Sequence, residues 1–154
     1  MKRIFVAMAL AAVISAQAVR AGELDAVFNE FKNRPKVEFV KVPKWLVKLG
    51  SLSADISAEP LADKVEGVKV LSMSDASKAD KARFDNRFSK AASSLDEMLR
   101  VNDGGDKVTI LTRKDGDKYR NIYILATDSS QCTLVEISGK FTADDIREMV
   151  NNND

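Results

Sequence analysis

The chain opens with an export-type leader, and that leader sets the conditions under which the rest must fold. Lys2 and Arg3 precede an uncharged apolar run, Ile4 to Ile14. Ser15-Ala16-Gln17-Ala18 then presents small residues in A-x-A spacing, and Val19-Arg20-Ala21 offers a second site of the same form. Positive charge, apolar run and small residues in this order constitute a secretory signal. The run has 11 residues, short of the ~20 needed to cross the hydrocarbon of a bilayer. Residues 1–21 are therefore expected to be a signal peptide, cut after Ala18 or Ala21. Residues 22–154 are then an exported single domain, periplasmic or extracellular, with no stable membrane span. No cysteine stands near the cleavage region to take a lipid.

An exported domain can use disulfides, but this one has a single cysteine, Cys132, so no internal bridge is available. Stability must come from the core. Removing 21 of 154 residues leaves 133, enough for one domain with one core. The leader holds three of the 24 basic residues, so 21 remain against 23 acids, a net charge of −2. Near-neutrality argues against nucleic acid as a partner, because phosphate binding depends on clustered positive charge.

The chain has no histidine. That removes Ser-His-Asp and Cys-His machinery and the commonest transition-metal ligand. No Gly-rich phosphate loop occurs. Asp115 and Asp117 have the opening spacing of a calcium loop, but Ala126 stands where the bidentate glutamate belongs. No cofactor and no metal are expected.

Apolar periodicity outlines the elements. Leu24, Val27, Phe28 and Phe31 form one stripe of a short helix. Val37–Val42 reads as a strand. Pro43 opens a helical stretch that stops at Gly50, with a further short helix around Pro60 to Lys64. Gly67–Met73 reads as a second strand. A long helix is expected over Lys78–Leu99, capped by Ser77, with Phe84, Phe88, Ala91, Leu95, Met98 and Leu99 on one side. Asn102-Asp103-Gly104-Gly105 would end it. Strands follow at Lys107–Arg113, Lys118–Thr127 and Gln131–Ser138, the first two joined at Asp115-Gly116, a tight-hairpin signal. Thr142 caps a last helix, with Asp145 closing a capping box and Phe141 and Ile146 forming a hydrophobic staple. Ile146, Met149 and Val150 face inward. The fold class is α+β: one domain, a mixed or antiparallel sheet of about five strands, and helices mainly on one face. Tyr119, Asn121, Tyr123 and Leu125 share one side of their strand and Ile122 and Ile124 the other. Both sides are partly apolar, so the second sheet face is either covered or sticky.

Three features are candidates for function. Between Lys32 and Lys48, six basic residues stand against Glu38, a local excess of +5. Within it, Lys41, Lys44, Trp45 and Lys48 could meet an anionic envelope component or an acidic envelope protein; alternatively Trp45 is core and the lysines reach past it into water. Tyr119 and Tyr123 are a second contact pair, unless a helix or the N-terminal segment covers them. Cys132, in an apolar strand with no basic residue within seven positions, reads as a small buried hydrophobe rather than a reactive thiol. The first functional expectation is an exported, non-enzymatic accessory or binding protein. The alternatives are an envelope enzyme using carboxylates or Cys132, and a homodimeric module joined through an open sheet face or an edge strand.

The leader, VEFVKVPKWLVKLG, GVKVLSM, LDEMLRVNDGGDKVTILTRKDGDKYRNIYILATD and TLVEISGKFTADDI together resemble the bacterial domain of unknown function 4252 family. The resemblance covers most of the exported chain and is strongest from Leu95 to Ile146. It implies an envelope protein without an assigned catalytic activity, so it transfers no site residue. Some members carry lipoprotein-type leaders; this chain lacks the cysteine that one requires.

Overall fold

Each strand runs antiparallel to its neighbours in a single six-stranded sheet. The structure is a computed structural model and describes residues 23–44, 46 and 63–151. Helix α1 spans Glu23–Phe31, and strands β1 (Glu38–Pro43) and β2 (Val65–Ser72) follow. Next come helix α2 (Lys78–Ala92), strands β3 (Asp96–Asp103), β4 (Asp106–Asp115), β5 (Lys118–Thr127) and β6 (Cys132–Phe141), and helix α3 (Ala143–Asn151). The strand order across the sheet is β1-β2-β6-β5-β4-β3. The architecture is α+β, with one strand more than the sequence pattern suggests.

The additional strand comes out of the long helix expected over Lys78–Leu99. Helix α2 stops at Ala92. The Ser93 hydroxyl donates to the Lys90 carbonyl and the Ser94 hydroxyl to the Ala91 carbonyl, which satisfies carbonyls the helix would otherwise use. Leu95 and Leu99 keep a helical spacing, yet they lie in and before a strand that pairs with β4. Asp103-Gly104-Gly105-Asp106 is therefore a hairpin turn rather than a helix stop. Both glycines have positive φ, 57° and 99°, as a type I′ turn requires. In the β4–β5 turn only Gly116 has positive φ, 64°, the pattern of a turn with glycine in the first central position.

The expected caps are present. The Asp80 amide donates to the Ser77 hydroxyl at 3.1 Å. The Thr142 amide donates to Asp145 at 2.8 Å, and the Asp145 amide to the Thr142 hydroxyl at 3.2 Å, a reciprocal capping box. Phe141 and Ile146 belong to one apolar cluster, which completes the staple. Pro43 is the last residue of β1, and the helical stretch expected from it begins at once, Lys44 and Leu46 being helical. An edge strand tolerates it because the missing N–H removes no ladder bond on the open side.

The helices divide the sheet into two faces. Helices α1 and α2 cover one, which we call the helical face. There Leu24, Val27, Phe28 and Phe31 of α1 and Phe84, Phe88 and Ala91 of α2 pack on Leu71, Leu111, Tyr123 and Leu134. Ring contacts lock the layer: Phe31 meets Phe84 edge-on at 5.5 Å, and Phe84 stacks on Phe88 at 6.0 Å. Glu30 ties α1 to α2 through Arg83 at 2.6 Å and Arg87 at 3.2 Å. Helix α3 lies on the opposite face, which we call the far face, where Ile146 packs with Ile110, Ile122 and Phe141.

A β-bulge between Tyr119 and Asn121 corrects the expected strand pattern. The extra residue moves Tyr119 to the far face, beside Ile122, while Tyr123 stays on the helical face. The two tyrosines do not form a pair. Tyr123 is 3% exposed and is a core residue, not a contact residue.

Candidate binding groove

Helix α2 crosses the helical face without reaching the β3 edge, and among the described residues that leaves the outer strands uncovered. The chain turns at Ser93-Ser94 and re-enters the sheet as β3. Between the C-terminal half of α2 and the bared face of β3, β4 and β5 lies a groove of about 680 Å³. Its floor and inner wall are apolar: Leu111 and Leu125 from the sheet, Phe88 and Ala92 from α2, Leu95 from the turn, and Cys132 at the base. Thr109 and Ser89 add hydroxyls.

The rim is charged but balanced. A second bulge, between Glu97 and Leu99, puts Glu97 and Arg100 on the same face, where residues three apart in a regular strand would point to opposite sides. The Arg100 guanidinium then donates to the Glu97 carboxylate at 3.0 and 2.7 Å. This fork holds the Glu97 carboxyl below the usual carboxylate range and raises Arg100. Lys81 and Asp85 stand on the α2 side, and Lys107 and Asp128 at the sheet end. Asp128 accepts the Ser130 and Gln131 amides at 2.7 and 2.6 Å, which lowers its carboxyl. Three cations thus oppose three carboxylates around an apolar floor.

Cys132 is buried, as its strand context suggested. Burial, and then the Asp85 carboxylate, push its thiol up to about 11. The thiol is therefore held protonated at neutral pH.

A buried carboxylate occupies a different part of the helical face. Glu136 is 3% exposed. Asn121 and Ser138 donate to its Oε1 at 3.1 and 3.0 Å. Lys69 Nζ stands 3.7 Å from Oε2 and 3.2 Å from Asp25 of α1, and 5.6 Å from the Phe28 ring centroid. Burial raises the Glu136 carboxyl, against the opposing pull of Lys69. Burial also raises the Tyr123 hydroxyl, with Glu136 and Asp25 adding to it. Glu136 does not line the groove; it anchors α1 through Lys69. Among the described residues, no group of three or more acidic or thiol side chains is placed to hold a metal ion. Among them also, no helix is long and apolar enough to cross a membrane.

The basic segment is only partly visible. Lys41 and Lys44 are exposed, on and just after edge strand β1. Trp45 and Lys48 lie outside the described residues, as does the leader. Arg34, part of the same basic excess, is engaged by Asp80 at 3.5 Å. Sequence reasoning missed the groove because it carried α2 through Leu99. The usable signal was the pair of turn sequences, DGGD and DGDK, each of which implies a strand on both sides.

The fold and the groove define a helix-layered antiparallel sheet protein with an open recess of ligand size on its helical face. A family model described as a domain of unknown function (DUF4252) matches residues 31–149. The chain belongs to that family. No curated protein and no solved structure matches it.

Proposed function

We propose that this chain is an exported binding protein that takes an extended segment of an envelope protein into the groove between α2 and strands β3–β5. The observation that carries the reading is the groove itself: an apolar floor deep enough for side chains, bordered by charges already paired or balanced. Such a border selects no strong net charge in the ligand, and the floor supplies the affinity. Its openness on the β3 side suits a chain that runs past the site rather than a small molecule enclosed by it. Export rests on the order of charge, apolar run and small residues in the first 21 positions, and it places the partner in the periplasm or outside the cell. The quiet Cys132 thiol and the structural engagement of Glu136 favour binding over the carboxylate or thiol chemistry of an enzyme.

The test uses protein purified from an exporting host and immobilised, with envelope extract passed over it. Ser89→Trp and Thr109→Trp each fill the groove without replacing a buried core side chain. Both should lose a captured species that the wild type retains, with unchanged far-UV circular dichroism. Retention of the same species by both variants overturns the groove as the site.

A further inference from the structure

Helix α2 carries a cation cluster on the side that meets α1, away from the groove. Arg83, Arg87 and Lys90 are spaced at i, i+4 and i+7, which aligns them on one face of the helix. With Asn86 they line an open recess that shares no residue with the groove. Glu30 of α1 organises it. Its Oε1 accepts from Arg83 Nε at 2.6 Å, and its Oε2 lies 3.2 Å from Arg87 Nε. The Glu30 side chain is 22% exposed and the two arginine side chains 51% each, so the carboxylate is the inner member and the guanidiniums the outer ones. Each arginine meets Glu30 through Nε and keeps its terminal amino groups unpaired among the described residues. The Lys90 ammonium has no ion pair among them either. The acids of α2 itself are engaged elsewhere, Asp80 by Arg34 and Asp85 at the groove rim. Three cations against one carboxylate leave the recess a net charge of +2.

We infer that this recess binds the phosphate of a membrane lipid whose headgroup is a phosphomonoester. The charge fits that ligand, because a phosphomonoester is close to a dianion at neutral pH. The donors fit as well. A planar carboxylate is satisfied by one guanidinium fork, whereas two guanidiniums, an ammonium and an amide on successive turns suit the oxygens of a tetrahedral group. Glu30 holds the two guanidiniums through Nε, so less side-chain freedom is lost when their terminal amino groups take the phosphate. The openness of the recess selects a surface-borne phosphate over a free one. At a half-exposed site water and salt compete with a single anion. A bilayer instead presents the group at high local density and draws basic residues to its surface. Helix α2 is an outer layer on this side of the sheet among the described residues, so a flat surface can reach the recess. The inference is independent of the groove, and either can fail alone.

The experiment is co-sedimentation of the protein, purified from an exporting host, with phosphatidylcholine vesicles. One set contains phosphatidic acid, a phosphomonoester; the other contains phosphatidylglycerol, a phosphodiester, adjusted to the same surface charge. Wild type should prefer the phosphatidic acid vesicles by at least about 5-fold. Arg83→Lys and Arg87→Lys keep the charge but lose the fork, and each should weaken that binding at least about 5-fold with unchanged circular dichroism. Glu30→Gln raises the net charge by one, so diffuse attraction predicts tighter binding; loss of the anchor predicts weaker binding, which is the expected result. Lys90→Gln breaks no ion pair and should weaken binding several-fold where the other variants lose stability. Equal binding to both vesicle sets overturns the inference, since diffuse charge then suffices. A preference unmoved by all four substitutions overturns it too, because the phosphate then binds elsewhere. Binding of inorganic phosphate in calorimetry without binding to vesicles overturns the lipid as its source, and binding of neither overturns the site.

Discussion

Replacing Gly139 by alanine should destabilise the protein, although glycine-to-alanine changes in ordinary backbone usually stabilise. A Cβ at this position would lie 2.7 and 2.9 Å from two carbons of the Phe141 ring, and it would also meet the Lys64 carbonyl. Carbon–carbon contacts are comfortable at about 3.5–4.0 Å, so the ring must retreat by nearly an ångström. It has nowhere to go: Phe141 is fully buried against Ile110, Ile122 and Ile146. Overpacking of this kind costs about 2 kcal/mol. Pushing Lys64 loosens the approach to β2 and costs about 1 kcal/mol more. The reduced entropy of the unfolded chain returns about 0.7 kcal/mol. The net is about 2 kcal/mol, or about 8 °C in melting temperature for a domain of this size. Urea unfolding followed by circular dichroism measures it. In a Phe141→Leu background the same substitution should cost at least about 1 kcal/mol less, because the ring half of the clash is gone. A Gly139→Ala protein as stable as wild type, or more so, would refute the argument that Phe141 is pinned between β6 and α3.

Two further outcomes follow from the buried titratable groups. Cys132 should react with a thiol reagent under native conditions far more slowly than a free cysteine and become fully reactive in denaturant; rapid native labelling would contradict its burial. Glu136 should make stability pH-dependent in a defined sense. Burial, the leading cause, raises its carboxyl in the folded state. The folded protein therefore binds the proton more tightly than the unfolded chain does. Its favourable contribution is complete below the ordinary carboxylate pKa of about 4.3 and is lost as pH rises through the folded value. Measured against Glu136→Gln, wild type should lose ground progressively from pH 4 to 8 in urea midpoints. A difference that is flat, or that grows in favour of wild type, would show that Lys69 outweighs burial.

Sequence alone determined the features whose causes are local. The Ser77 cap, the Thr142–Asp145 box and the Phe141–Ile146 staple depend on residues a few positions apart, and their hydrogen bonds form as the spacing requires. Asp115-Gly116 announced its hairpin because a positive φ suits glycine. The burial of Cys132 followed from its aliphatic neighbours. Tertiary structure decided whatever depends on partners distant in the chain. Leu95 and Leu99 satisfy a helical repeat and a strand equally well, and β3 exists because β4 lies beside it to pair with. The bulges at Met98 and Arg120 leave no periodic trace, yet one aligns Glu97 with Arg100 at the groove and the other parts Tyr119 from Tyr123. The groove arises from α2 ending short of the sheet edge, and the cationic recess from α1 lying where Glu30 reaches Arg83 and Arg87. Neither is written in any one segment, because each is a property of what lies next to what.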